Sequence, residues 1–453
     1  MPEITMDKIV SLCKRRGFIF QSSDIYGGLS NTWDYGPFGV ELKNNLKRAW
    51  WKANIHGRND IYGMDAAILM HPKVWEASGH VKNFFDLKSD CLSCHKRFKA
   101  EDLKDKAKCP ECGGKLTESR PFNLMFKTHQ GPVEDTENQL YLRPETAQGM
   151  FVNFANILDS RHPKLPFGLA QIGKSFRNEI TPGNFTFRTR EFEQMEIEYF
   201  VRPEEAGKYY EEWVDARHNW YLGLGIVKEN LRLRAHAKDE LAHYALACTD
   251  IEYNFPFGWS ELEGIANRSD FDLKQQSEYS GRDLRYFDDK AKTRSYPFII
   301  EPSGGVDRAV LAFLADAYCE EKVNPVRSLE KPTNSSGASN GVKDDTRTVL
   351  KLHKELAPVK VAVFPLLKNR PEIVELAKGI AQKLKKSTVA IYDDTGAIGK
   401  LYRRQDEVGT LYCVTVDVQS LEDKQVTVRH RDTMQQERIG IDRLREYIIN
   451  KIN

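Results

Sequence analysis

Two groups of residues in this chain have types and spacings that could do chemistry. Cys91, Cys94, Cys109 and Cys112 form two C-x-x-C pairs separated by 14 residues. That spacing lets two knuckles deliver four thiolates to a tetrahedral Zn2+. With four Cys ligands no position is left for water, so such a site is structural. Gly113 and Gly114 follow the second pair, where a knuckle needs positive φ, and Pro110 stiffens the turn between its cysteines. Two reduced pairs or a redox couple are the alternative chemistry. Between Lys88 and Lys115 stand eight basic and five acidic residues, a mild positive surplus. The second group joins guanidinium, carboxylate and aromatic side chains. Arg177 and Glu179 are spaced i, i+2 on an expected strand, and a returning strand carries Arg188, Arg190, Phe192 and Glu196. Glu301, Ser303 and Arg308 sit where a strand gives way to a helix, whose N-terminal amides favour an anion. Neither G-x-x-x-x-G-K-[ST] nor a strand-borne G-x-G-x-x-G occurs, so the usual glycine cradles for nucleotides are absent.

The elements that position these groups follow from composition and periodicity. With 453 residues, 40% hydrophobic, 29% charged and a formal charge of +2, the chain has the make-up of a globular protein of several domains. Its apolar runs are too short to span a membrane, and the start Met-Pro-Glu-Ile-Thr-Met-Asp-Lys lacks signal and transit patterns, so a cytoplasmic protein is expected. Leu42, Leu46, Ala49, Trp50 and Ala53 share a helix face after Pro37, and a strand is expected to close near Pro72. Residues 168–180 and 190–201 read as an antiparallel hairpin around Thr181-Pro182-Gly183-Asn184. In its second strand Met195, Ile197, Tyr199 and Val201 share one parity, and Phe192, Gln194, Glu196 and Glu198 the other. Helices are expected from Pro203 to Gly223 and from Gly305 onward. His236, Asp239, Glu240 and His243 would share a face if helical, as a solvated face or a metal site. Residues 331–341 read as a flexible linker. Beyond it, a strand at 359–364, a helix at 372–385 and strands at 389–392 and 411–418 indicate a compact α/β domain.

Ser175-Phe176-Arg177-Asn178-Glu179 with Phe187-Arg188-Thr189-Arg190-Glu191-Phe192 resembles motif 2 of the class II aminoacyl-tRNA synthetases, and Gly304-Gly305-Val306-Asp307-Arg308 resembles motif 3. The helix through Trp50 and the strand closing at Pro72 are similar to motif 1, the dimer element. More narrowly, Trp33-Asp34-Tyr35-Gly36-Pro37, Arg143-Pro144-Glu145-Thr146-Ala147-Gln148-Gly149, Met195-Glu196-Ile197-Glu198 and residues 399–407 resemble the dimeric glycyl-tRNA synthetases, over nearly the whole chain. The fold implied is α/β, with an α+β catalytic domain: an antiparallel sheet flanked by helices, a zinc-ribbon-like insertion and a C-terminal α/β anticodon-binding domain. The divisions expected are 1–87 and 119–325 for the catalytic core, 88–118 for the insertion, 326–350 for the linker and 351–453 for the last domain.

The resemblance implies glycine–tRNA ligation with ATP, Mg2+, a structural Zn2+, tRNA(Gly) and a homodimer. It makes Arg177, Glu179 and Arg308 catalytic. Arg177 would meet the ATP α-phosphate and Arg308 the γ-phosphate, with Phe192 on adenine, Glu179 and Arg188 also at ATP, and Glu261 and Glu301 on Mg2+. Either Arg188 or Arg190 would be the second phosphate contact. Glu145, Glu196 and Ser303 would hold the glycine ammonium and Arg268 its carboxylate. Lys400, Tyr402, Arg403, Arg404, Arg429 and Arg431 are candidates to grip an anticodon stem-loop. Two departures stand out: residues 331–341 are more extended than the family junction, and Gly183 occupies a motif 2 loop position where a basic residue is frequent. The alternatives are a synthetase-like accessory protein that binds nucleic acid without catalysis, and another class IIa synthetase. Taken singly, Glu196 and Glu198 would be a solvated sheet face, Arg177 with Glu179 and Arg308 with Asp307 surface pairs, and Phe192 a core residue.

Overall fold

The computed structural model describes residues 4–135, 137–242, 244–289, 292–322 and 346–452. Residues 331–341, expected as a linker, lie outside them. Two compact units are distinguished: Gln21–Asp34 with Leu46–Ala312, and Met1–Phe20 with Tyr35–Asn45 and Phe313–Asn453. The first residues of the chain therefore group with its C-terminal part, where the sequence division put them with the catalytic core.

The first unit is built on a seven-stranded sheet. Its strands are β1 (Ile61–Gly63), β2 (Phe167–Phe176), β3 (Glu191–Val201), β4 (Leu231–Ala235), β5 (Ala247–Phe255), β6 (Gly258–Ser269) and β7 (Phe298–Gly305), in the order β4-β5-β6-β7-β3-β2-β1. Every pairing is antiparallel except β1 with β2. The expected hairpin exists, but its strands stop at Phe176 and start again at Glu191. Arg177 and Glu179 thus lie in the connecting loop and not on a strand face, and the Arg177 amide bonds the Arg190 carbonyl at 2.9 Å. The motif 1 strand is Ile61–Gly63 and ends well before Pro72. Its helix runs from Pro37 to Trp51 and opens into a π turn, Lys52–His56, that buries Asn54 and leaves Ala53 exposed.

Helix α1 (Ala206–Gly223) packs on one face of the sheet. It buries Trp213, Val214 and Tyr221 as periodicity requires, and also Arg217. The pairing of β5 with β6 contains a register shift: Ile251 pairs Glu263 but Glu252 pairs Glu261, so Leu262 is an extra residue. A bulge reverses side-chain parity beyond it. Glu263 therefore faces α1, where Arg217 bonds it at 2.6 and 3.2 Å and the Tyr221 hydroxyl donates at 2.8 Å. Glu261 turns to the opposite face. Helix α2 (Phe271–Ser280) buries Asp272 and Leu273, and α3 (Val306–Ala317) buries the apolar stripe expected after Gly305. Residues 236–240, which would have needed a helix to make one face, form no helix; the Glu240 carboxylate instead bonds Arg234 and the Ala237 amide. His243 lies outside the described residues.

In the second unit, helix Met6–Arg16 is capped by Thr5 and by Gly17 at φ 72° and buries Ile9, Leu12 and Cys13. Its Arg15 and Arg16 pair with Glu407, which lies in the helix Ile398–Val408. Strand Tyr318–Lys322 pairs with Thr346–Leu350, so the last five residues of the expected linker are a strand. A five-stranded sheet follows, with Val361–Pro365 between Ala390–Tyr392 and Tyr412–Val416, all parallel, and two antiparallel strands after them. Three of the candidate anticodon residues are tied into this unit. Arg429 bonds buried Asp406 at 2.8 and 3.1 Å, Arg431 bonds the Leu352 and Gly409 carbonyls, and Tyr402 packs on Phe364 with its hydroxyl at Thr415. Buried guanidinium groups with these partners hold the fold and are not free to meet RNA. Lys400 is exposed.

Candidate active site

The sheet face opposite α1 is the floor of a cavity of about 340 Å³. All eleven residues expected at ATP or amino acid line it: Glu145, Arg177, Glu179, Arg188, Phe192, Glu196, Glu261, Arg268, Glu301, Ser303 and Arg308. Register explains why residues so distant in sequence meet. Glu196 on β3 stands opposite Ser303 on β7, Ser303 opposite Gly264 on β6, and Gly264 opposite Asp250 on β5. The adjoining row carries Glu301, Ala266 and Cys248. Polar parity on β3 thus faces a cavity and not bulk water, and Glu196 is only 1% exposed.

One end of the cavity is anionic. The Ser303 hydroxyl donates to Glu196 at 2.7 Å, and Thr146 also donates to Glu196. Burial, followed by the nearby Glu145 charge, raises the pKa of Glu196. Glu145 is bonded by Gln148 at 3.2 Å and lies 3.3 Å from His80. Burial acts to raise its pKa, but His80, Arg268 and Arg177 together hold it below the usual carboxylate range. The loop bearing Glu145 is clamped by Arg143, whose guanidinium bonds the Lys174 and Ala66 carbonyls at 2.6 and 2.7 Å. Gly173 makes room for it, because a Cβ there would lie 2.3 Å from Arg143 Nη2. Arg268 is buried, makes two bonds to Asp272 at 2.8 and 2.9 Å and one to Glu301 at 2.7 Å, and lies over the Tyr244 ring. Of about five guanidinium donors, some remain for a ligand carboxylate.

The other end is cationic and aromatic. Arg177 donates to the Pro144 carbonyl at 3.0 Å and lies 5.4 Å from the ring centroids of Phe84 and Phe192. Arg308 donates to the Phe187 carbonyl at 3.1 Å, covers the Phe187 ring at 4.5 Å and pairs with Glu261 at 3.2 Å. The Arg308 charge lowers the Glu261 pKa. Asp307 accepts from the Glu193 amide at 2.7 Å and so fixes the start of α3 to β3. Arg190 turns away, with its guanidinium on the Ser30 and Glu179 carbonyls, whereas Arg188 lines the cavity.

Glu261 and Glu301 line the same cavity from different rows. Glu301 pairs with Ala266, which lies five residues along β6 from Glu261, past the bulge at Leu262. Glu301 lies beside Glu196 and Glu198 at the anionic end. Of this network, Thr146 and Gln148 stood in the Arg143–Gly149 stretch with no role given to them, and Asp272 was signalled only by its i, i+4 spacing from Arg268. Sequence reasoning set His236 on an expected helix face and missed its partner Asp250, 2.7 Å away on the cavity wall.

The four cysteines converge as their spacing requires. Their sulfurs lie within 4.8 Å of one another, with Cys91 to Cys112 at 3.5 Å and Cys94 to Cys109 at 3.7 Å. A tetrahedron with Zn–S of about 2.3 Å has edges of about 3.8 Å, whereas a disulfide needs about 2.05 Å. The two knuckles match: the Cys91 amide bonds Lys96 O and the Cys109 amide bonds Gly114 O, both at 2.8 Å. His95 and Gly113 take the left-handed positions at φ 57° and 72°. The Cys94 and Ser93 amides, each 3.4 Å from Cys91 Sγ, lower that thiol to about 6. The donor set fits a tetrahedral divalent ion.

Comparison with known proteins identifies the family. An anticodon binding domain model matches residues 360–451. The chain is 52% identical to a glycine–tRNA ligase of Alkaliphilus oremlandii over 99% of both chains, and 52% identical to one of Geobacillus kaustophilus over the same shares. It is 53% identical to one of Treponema denticola over 96% of this chain and 95% of the relative. The chain belongs to the glycine–tRNA ligase family. The matches cover nearly all of this chain, from the part that holds the seven-stranded sheet to the C-terminal α/β domain. Among the described residues no helix is long and apolar enough to cross a membrane.

Proposed function

We propose that this protein ligates glycine to tRNA(Gly) in two steps within the cavity floored by β3, β6 and β7. A glycine carboxylate oxygen attacks the α-phosphorus of ATP, the bond to pyrophosphate breaks, and glycyl-adenylate forms. The 3′-hydroxyl of the terminal adenosine of tRNA then attacks the glycyl carbonyl, and AMP leaves. The convergence of one anionic and one cationic end in a single cavity carries the reading.

In this account Arg177 stabilises charge on the non-bridging α-phosphate oxygens as they become more negative, and Arg308 meets the γ-phosphate. Phe192 stacks on adenine, Arg188 is the second phosphate contact, and Glu179 and Glu261 complete the ATP end. Glu145, Glu196 and Ser303 accept the three N–H donors of the glycine ammonium, and the free donors of Arg268 take its carboxylate. Acceptors crowded around one small cation leave no space beside the α-carbon, and larger amino acids are rejected by overlap. ATP is used with Mg2+, but no step here is routed through the ion. Cys91, Cys94, Cys109 and Cys112 hold a structural Zn2+. A cytoplasmic homodimer joined through the motif 1 helix completes the proposal.

Glycine-dependent exchange between ATP and pyrophosphate tests it directly. Exchange with glycine and with no other amino acid is expected. No exchange, or exchange driven best by threonine, serine, proline or histidine, would overturn the assignment.

A further inference from the structure

Arg268 enters the cavity from a second bulge. Asn267 on β6 pairs Ile300 on β7 and Ser269 pairs Ile299, so Arg268 is an extra residue between them, and Ser269 then turns at φ 55°. A bulge of this kind re-aims a side chain. The guanidinium is held along its edges: Nε and Nη2 donate to Asp272, and Nη1 donates to Glu301. With about five N–H groups in all, one is left on each terminal nitrogen. Two such groups in one plane make a fork that matches a carboxylate.

Hydrogen bonds in the plane leave the faces of the group to be covered. The Tyr244 ring centroid lies 4.0 Å from Arg268 Cζ, and that of Phe151, in the helix Ala147–Val152, lies at 5.5 Å. Tyr244 comes from the connection between β4 and β5, in a turn closed by the Ala245 amide on the Ala242 carbonyl at 2.9 Å. Three contacts seat this connection on the end of β6 and the start of α2. The Leu246 amide bonds the Asn267 carbonyl at 2.8 Å, the Ser269 hydroxyl donates to the Tyr244 carbonyl at 3.4 Å, and the Tyr244 and Phe271 rings lie 6.3 Å apart. Tyr244 thereby lines the cavity, yet it has no role in the account above.

We propose that Tyr244 is a positioning residue for the ligand carboxylate: its ring covers one face of the Arg268 guanidinium, keeps water off that face and holds the two remaining N–H groups toward the amino acid. The attraction of a guanidinium for an aromatic face is electrostatic and grows as water is removed, so the contact is stronger in this cavity than at an open surface. A ring that merely seated the connection on β6 would change stability, or act on both substrates alike. The inference rests on the reading of Arg268 as the partner of the glycine carboxylate.

The test uses the full chain with Tyr244→Phe, which keeps the aromatic face, and Tyr244→Leu, which removes it. In exchange between ATP and pyrophosphate, Tyr244→Phe should hold the glycine KM within about threefold of wild type, since the ring face remains. Tyr244→Leu should raise it about tenfold, in the range of a desolvated cation–π contact, with the ATP KM unchanged and kcat at saturating glycine largely kept. An unchanged glycine KM in Tyr244→Leu, an equal rise in the ATP KM, or a rise in Tyr244→Phe as large as in Tyr244→Leu overturns the proposal. Should Tyr244→Leu fail to fold, Tyr244→Met, whose flexible chain fills irregular gaps, is read by the same ratios. A wild type without glycine exchange refutes the pocket reading and the proposal with it, whereas wild-type exchange with a flat glycine KM across the variants refutes the role of Tyr244 alone.

Discussion

Glu261 and Glu263 stand two residues apart, yet the bulge at Leu262 gives them opposite work, and substituting each by Gln separates stability from activity. Glu263 and Arg217 are each 1% exposed and share two bonds, with a third from Tyr221. Removing one charge of such a pair leaves the other buried, at a cost of about 3–5 kcal/mol. Gln keeps one acceptor for Arg217, so Glu263→Gln should cost about 3 kcal/mol, measured as the shift in urea unfolding followed by tryptophan fluorescence. Glu261 has a side chain 48% exposed in its pair with Arg308, and exposed pairs contribute about 0–1 kcal/mol. Glu261→Gln should leave the unfolding curve nearly in place and raise the KM for ATP in exchange. A loss below about 1 kcal/mol for Glu263→Gln, or comparable losses for both variants, would refute the reversal of faces.

Three further outcomes are expected. Arg177→Ala should slow glycine-dependent exchange by about 10²–10³, the usual effect of removing one preorganised donor to a developing anion, with an unchanged circular dichroism spectrum; near-normal exchange would remove Arg177 from its role. Metal analysis should find about one Zn2+ per chain, and Cys109→Ser should lose it and open residues 88–118 to protease, whereas a metal-free, protease-resistant wild type would count against the site. Burial raises the pKa of Glu198, so the folded state keeps a proton that the unfolded chain loses above about pH 4.3. Its contribution is therefore intact at lower pH and lost as pH rises toward the folded value. Glu198→Gln should gain on wild type as pH rises above about 4.3 toward the folded value, and parallel stability–pH curves would contradict this.

Much of this protein was legible in one dimension. The cysteine spacing determined a four-sulfur cluster, the parity of residues 192–196 determined which side chains share the cavity floor, and the stripe from Val306 to Ala317 determined the helix behind Arg308. These signals are local, because knuckle geometry and the periods of 2 and 3.6 residues are set by near neighbours in the chain. Which of two arginines faces the cavity, Arg188 or Arg190, was undetermined until carbonyls of Ser30 and Glu179 were seen to hold the second. The same holds for Glu263 turned to Arg217, for Glu301 placed beside Glu196, and for Arg429 and Arg431 buried in the C-terminal unit. Each depends on strand register and on partners tens to hundreds of residues away. A charged residue looks alike in sequence whether water, a ligand or a buried counter-charge awaits it, and only tertiary packing decides among them.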